Sequence, residues 1–244
     1  MAISRMEASA IAETEARITP RYMLLLVVSI PLVAGVYYLA GTEFFASPLS
    51  LYEYLVFTSL VAIVVTGCYQ MFFWVQRNNY FFKTRCFALP LDRYIPFWPS
   101  WVWIYSFLYY VAIGFVVASI QSIVEGVYLI FGAIILLLSQ VTCFLLVPST
   151  VPVEYRQYEV NTISTRFLKF VQGKDNGRNC MPSMHCSVAM YVSLILYPSI
   201  GSAAYVFVAL IAISCLFVKQ HQIADIFPGI LLGWAVWSAV SIVL

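Results

Sequence analysis

The sequence predicts an all-α polytopic membrane helix bundle, and three observations predict it. Of the 244 residues, 62% are hydrophobic and only 10% are charged, with a mean hydropathy of +0.89; a soluble domain carries about a quarter charged residues. Seven apolar runs, most near the roughly 20 residues a helix needs to cross a bilayer, fall at about 22–40, 51–75, 101–120, 127–147, 186–200, 202–218 and 224–244. Alternating barrel-strand patterns are absent. The expectation is about seven transmembrane helices in one bundle, without an internal repeat.

Each element has its own signal. Residues 1–20 form a polar tail of mixed charge, in which 4–17 are either a short amphipathic surface helix or a disordered segment. The first apolar run is too long for a signal-peptide core and reads as an uncleaved span. The fifth is short and contains Pro198. Residues 21–244 then make a single transmembrane domain. Pro182-Ser183 reads as a helix start, with the proline in the first turn and the serine near the cap. The aromatic, proline-broken stretch 94–103 reads as an interfacial anchor or the lining of a lipid access path. Cys68, Cys143 and Cys215 fall in spans as core residues, while Cys86, Cys180 and Cys186 fall at or near one face; no metal-ligand spacing appears among the six. A net charge of +2 is too small to suggest a nucleic-acid partner.

Threading seven spans assigns every connection to one of two faces. The N-terminal face, X, receives 1–21, 76–100, 148–185 and 219–224; the opposite face, Y, receives 41–50, 121–126, a turn near 200 and the C-terminus. All thirteen Lys and Arg lie on X, whereas Y has Glu43, Glu53 and Glu125 at or near it. The positive-inside rule places X in the cytoplasm, although a phosphate-binding face would be basic on either side.

The two histidines are the strongest functional signal. His185 lies in Pro182-Ser183-Met184-His185 and His221 opens His221-Gln222-Ile223-Ala224-Asp225. Two spans separate them, so both return to X. If the last helix begins near Lys219, His221 and Asp225 share one helical face, one turn apart. A carboxylate there fixes the imidazole tautomer and leaves the other nitrogen free to attack. An ionisable group inside an apolar run is a functional signal, although a helix-start acid favoured by the dipole has the same pattern. A helix start at Ser183 presents free N–H groups to phosphate, with His185 in the first turn. Lys174, Arg178 and Lys219 flank the motifs, and Lys83, Arg85 and Arg93 lie in the preceding X loop; such cations neutralise phosphoryl oxygens, or simply snorkel.

Together, Pro-Ser-x-His and, about 35 residues on, His-x-x-x-Asp resemble the type 2 phosphatidic acid phosphatase superfamily over roughly residues 80–244. The resemblance implies a six-helix phosphatase-like core and a phosphohistidine mechanism. In it His221 is the nucleophile, Asp225 its orienting partner and His185 the general acid and then base. Ser183, Lys219, Arg178, Lys174, Arg93, Lys83 and Arg85 are the candidate phosphate-binding residues. It implies no metal or other cofactor, a phospholipid or sphingolipid substrate within the membrane, and an active site on the extracytoplasmic or lumenal face.

The chain departs from the lipid-phosphatase branch. The Lys-x6-Arg-Pro string is absent, Ser214-Cys215 stands where that branch has Ser-Arg, and Met184 replaces a frequent glycine. Lys-x-His-x-x-x-Asp and the segment Leu89–Phe97 resemble the branch containing inositolphosphorylceramide synthases. The expected activity is therefore lipid phosphatase or lipid headgroup phosphotransferase. The competing reading is a transporter or binding protein with a basic vestibule, which an inverted repeat or broken mid-membrane helices would favour; neither is evident.

Overall fold

The computed structural model describes residues 20–79 and 81–242; the tail or surface helix expected at 4–17 lies outside the described residues. The order is α1 (Pro20–Phe45), α2 (Leu51–Asn78), β1 (Arg85–Cys86), α3 (Val102–Ser119), α4 (Ile123–Leu146), β2 (Ser149–Thr150), α5 (Ile163–Lys174), α6 (Met184–Ile200), α7 (Tyr205–Phe217) and α8 (Ile223–Val240), with short 3-10 turns between. The all-α expectation is met. Six stretches are long and apolar enough to cross a membrane, and the fifth, Met184–Phe217, is the α6–α7 pair. These two helices fold back on each other at Gly201, whose φ of +59° ends α6, and Ser193 Oγ donates to Ala204 O at 2.8 Å across the bend. That bend turns six apolar stretches into seven helices.

Hydrogen bonds among helix ends and the adjoining loop residues define the two ends of the bundle. At one end Ser47 Oγ donates to Ile120 O at 2.7 Å and Gln121 Nε2 to Phe45 O at 3.2 Å. Glu53 and Glu125 start helices there. Glu53 Oε2 accepts Ser50 N while Ser50 Oγ accepts Glu53 N, closing the α2 capping box. At the other end Asn79 Nδ2 donates to Phe144 O at 2.8 Å and Gln76 Nε2 to Asp175 Oδ1 at 2.7 Å. The long loops gather here, tied by the parallel β1–β2 pair and by the Thr150–Arg178 bridge.

The helices that carry the motifs pack closely because α8 is smooth on one side. A Cβ on Gly229 would lie 2.5 Å from Ser183 O, and one on Gly233 would lie 2.2 Å from Ser187 O. Small residues four apart let two apolar helices approach backbone to backbone, which lipid-facing bulk would prevent. This approach lets Ser183 N donate to Asp225 O at 2.9 Å, fastening the start of α6 to the first turn of α8.

Two helix starts differ from expectation. Ser183 is the N-cap of α6, its Oγ accepting Cys186 N. Pro182 lies before the cap rather than in the first turn, and its carbonyl accepts the amide of Gln140. The last helix begins at Ile223, not near Lys219. The chain cannot run straight from α7 into α8, because Lys219 takes a φ of +57° and the N–H groups of Gln220 and His221 fold back to Cys215 O.

Candidate active site

His221 therefore sits in the turn before α8, and Asp225 reaches back to it across the N-cap. Asp225 Oδ2 accepts the backbone N–H of Gln222 at 2.9 Å and lies 3.4 Å from His221 Nδ1. The separation suits an ion pair more than an aligned hydrogen bond. Nδ1 and the second carboxylate oxygen, Oδ1, have no hydrogen-bond partner among the described residues. Asp225 is fully buried and His221 nearly so. Burial, the largest single influence, pulls the His221 imidazolium down, but the proximity and charge of Asp225 outweigh it, and the net shift is upward.

His185 enters from the first turn of α6. Its ring stacks on Tyr105 of α3 at 4.2 Å and 25°, and meets Tyr109 edge-on at 5.6 Å. Two aromatic contacts hold the imidazole plane without using its nitrogens. The helix beneath is also anchored: Gln140 of α4 donates to Pro182 O and accepts from Ser187 Oγ at 3.1 Å. The His185 and His221 ring centroids are 5.8 Å apart at 67°. Residues 36 positions apart in sequence thus face each other across one small polar centre, with Ser183 buried behind them.

The structure brings together Ser183, His185, His221 and Asp225, but not the cations. Lys219 turns away: its Nζ donates to Ile95 O at 2.7 Å and Asp92 O at 3.1 Å, 4.9 Å over the Tyr155 ring. Burial pulls its ammonium down from the usual lysine range, against the opposing charge of Asp92. Arg178 donates to Thr84 Oγ1 and Asn79 O, securing the loops. Lys174 lies over Phe170 at 5.9 Å. Lys83, Arg85 and Arg93 are exposed and make no ion pair among the described residues.

Several site residues carry no signal in the motifs. Asp92 is buried; its Oδ2 accepts Leu89 N at 2.6 Å and its Oδ1 accepts Ile223 N at 2.9 Å. The 90–95 turn is thereby clamped to the His221 turn from both sides, through Asp92 and Lys219. The aromatic stretch joins in: Trp98 N donates to Phe217 O at 2.9 Å, and Trp98 and Trp101 both pack on the Phe217 ring. Gln222 Nε2 donates to Thr150 O at 2.9 Å, tying the same turn to β2. Cys215 is fully buried, with its sulfur beside the two imidazoles. The six cysteines are free thiols.

An apolar cavity of about 160 Å³ opens beside His185. Val65 and Tyr69 of α2, Tyr109 of α3, Gln140 of α4, and Met184 and His185 of α6 are among its lining.

No curated protein and no solved structure matches the chain. The profile of the PAP2 superfamily matches residues 121–244, just over half of the chain, from the start of α4 through both histidine motifs. This integral membrane protein belongs to the PAP2 superfamily.

Proposed function

We propose that the protein is a membrane enzyme that moves a phosphoryl group or phospho-headgroup from a lipid through a covalent intermediate on His221. The observation that carries this reading is the facing pair of imidazoles, 5.8 Å apart, with Asp225 behind only one of them. Asymmetry of this kind divides the roles. With Nδ1–H directed at Asp225, Nε2 of His221 holds the lone pair that attacks phosphorus. The P–O bond to the leaving group breaks, and protonated His185 donates its proton to the departing alkoxide. In the second half, neutral His185 takes the proton of the acceptor hydroxyl, the acceptor oxygen bonds to phosphorus, the P–N bond breaks, and His221 is regenerated. Asp225 stabilises the positive charge on the phosphorylated ring.

The cavity beside His185 supports a lipid substrate, since an apolar slot next to the proton donor has room for part of a hydrocarbon chain and none of the charge a soluble phosphate ester needs. Water as acceptor gives a phosphatase; a lipid or alcohol hydroxyl gives a headgroup transferase. The thiol at Cys215, in place of the phosphatase branch's arginine, and the Leu89–Phe97 segment favour the transferase of the inositolphosphorylceramide synthase-like branch. Residues 21–244 are read as one catalytic domain.

A panel of phospholipids and phosphosphingolipids in reconstituted membranes tests this. Free phosphate or phospho-headgroup release marks hydrolysis. A new phosphorylated lipid, formed only when diacylglycerol, ceramide or an inositol lipid is supplied, marks transfer. Neither product on any member of the panel, with folded protein, refutes the reading.

A further inference from the structure

The two imidazoles of the site, together with the thiol of Cys215, which the phosphoryl-transfer roles leave unused, also make a metal donor set. His185, His221 and Cys215 each offer one ligand atom, and these three atoms lie within 4.8 Å of one another. They come from α6, the turn before α8, and α7, so no local sequence spacing announces them.

We propose that His185, Cys215 and His221 form an inhibitory zinc site that closes the active centre. Two imidazoles and one thiolate, with a fourth position open, is a familiar zinc donor set. Ligand bonds of about 2.0–2.3 Å place tetrahedral donors roughly 3.3–3.8 Å apart, so side-chain shifts of about an ångström close the triangle. The surroundings suit a buried dication. Asp225 lies 3.4 Å from Nδ1 of His221, the position of the carboxylate that orients a metal-bound imidazole from behind. Zinc, the Cys215 thiolate and the Asp225 carboxylate sum to zero formal charge, which offsets much of the cost of burying each. Lys219, the nearest cation in sequence, is turned to the carbonyls of Asp92 and Ile95. Binding exchanges the Cys215 S–H bond for S–Zn, and the proton leaves to solvent.

Metal binding stands on this geometry alone; inhibition rests on the proposed function. Coordination would occupy the nitrogen of His221 that attacks phosphorus and the nitrogen of His185 that carries the proton, so turnover stops until the metal is withdrawn.

The full chain, purified in detergent, is titrated with Co²⁺ as a spectroscopic stand-in. The site predicts near-ultraviolet thiolate-to-cobalt absorption at one equivalent, displaced by Zn²⁺. Cys215→Ser should abolish this absorption and weaken zinc binding at least tenfold, while Cys86→Ser should leave both unchanged. Should Cys215→Ser not fold, His185→Ala supplies the comparison, with the same tenfold loss. In turnover assays, zinc should stop the wild type reversibly on chelation, and Cys215→Ser, scored against its own metal-free rate, should require at least tenfold more. No thiolate absorption in the wild type, or absorption that survives in Cys215→Ser, overturns the site. Absorption as predicted with zinc-insensitive turnover overturns the inhibitory role. Metal binding in a protein without turnover on any lipid removes the inhibitory role together with the proposed function and leaves the metal site standing.

Discussion

The carboxylate of Asp92 accepts the backbone N–H of Ile223 at 2.9 Å, joining residues 131 positions apart. Ile223 is the first residue of α8, two beyond His221. An acid from a distant loop thus caps the helix that carries Asp225 and fixes the turn that carries His221. Among the described residues its carboxylate bonds to the backbone N–H groups of Leu89 and Ile223 and to neither imidazole, so it acts through backbone position.

Loss of that anchor should slow chemistry more than binding. Misplacing a reacting group by about an ångström costs about 10²-fold in rate, so Asp92→Ala should lower kcat by about that factor with little change in KM. Asp92→Asn retains one acceptor oxygen and should recover part of the loss. Steady-state rates on the best substrate of the lipid panel, with thermal unfolding alongside, check this. Equal losses for Ala and Asn would contradict it.

Asp225→Asn should reduce kcat and move the pH profile. Asp225 outweighs burial and holds the His221 pKa above its usual value. The nucleophile must be neutral, so acidification through that raised pKa switches the enzyme off. With the carboxylate charge gone, the downward pull of burial, the largest single influence, is opposed only by the smaller charge effects of Cys186 and Asp175, and the acid limb should shift to lower pH while the maximum falls. A profile that falls in height without shifting would place the controlling proton elsewhere.

Lys219→Met keeps the aliphatic stem beside Tyr155 but removes both bonds to the 90–95 turn. Hydrogen bonds from a charged group contribute about 1.5–3 kcal/mol each, less where solvent screens them. The variant should lose about 1–2 kcal/mol of stability, measured by denaturant unfolding in micelles, and inhibition by inorganic phosphate should be little changed. A large change in phosphate inhibition at unaltered stability would show that Nζ leaves the carbonyls to hold substrate.

Gly233→Val should part α6 from α8. Even a Cβ would stand 2.2 Å from Ser187 O, a backbone atom that cannot rotate away. Overpacking of this kind costs about 1–3 kcal/mol, and the displaced helix carries Asp225 with it, so activity and thermal stability should fall together. Gly35, with nothing within 4 Å of a built Cβ, is the control: Gly35→Ala should leave both intact.

The bundle is legible because transmembrane burial is written in composition: long apolar runs with the lysines and arginines grouped on one face. The pairing of His185 with His221 followed from counting spans, and the i, i+4 acid separated the two roles. What eluded the sequence depends on backbone direction. Lys219 reads as a phosphate ligand by proximity to His221, but its positive φ turns it toward the 90–95 carbonyls. Asp92 reads as one loop acid among eleven acidic residues, and its role exists only once the fold places it over the α8 N-terminus. Cys215 reads as core, and it is buried, yet the end of α7 places its sulfur beside both imidazoles. The spacing of Gly229 and Gly233 is a signal that could have found the α6–α8 contact: small residues four apart in an apolar run mark a close helix approach.

The central claim is that the transferred group passes through His221, and trapping that intermediate tests it most directly. Wild-type protein mixed with lipid labelled in its phosphate, quenched within one turnover under alkaline conditions that preserve phosphohistidine, should carry label on the peptide containing His221. His221→Ala should carry none, and His185→Ala should carry less because the leaving group lacks its proton donor. Turnover of the wild type with no label on His221, or label that persists in His221→Ala, would contradict the account.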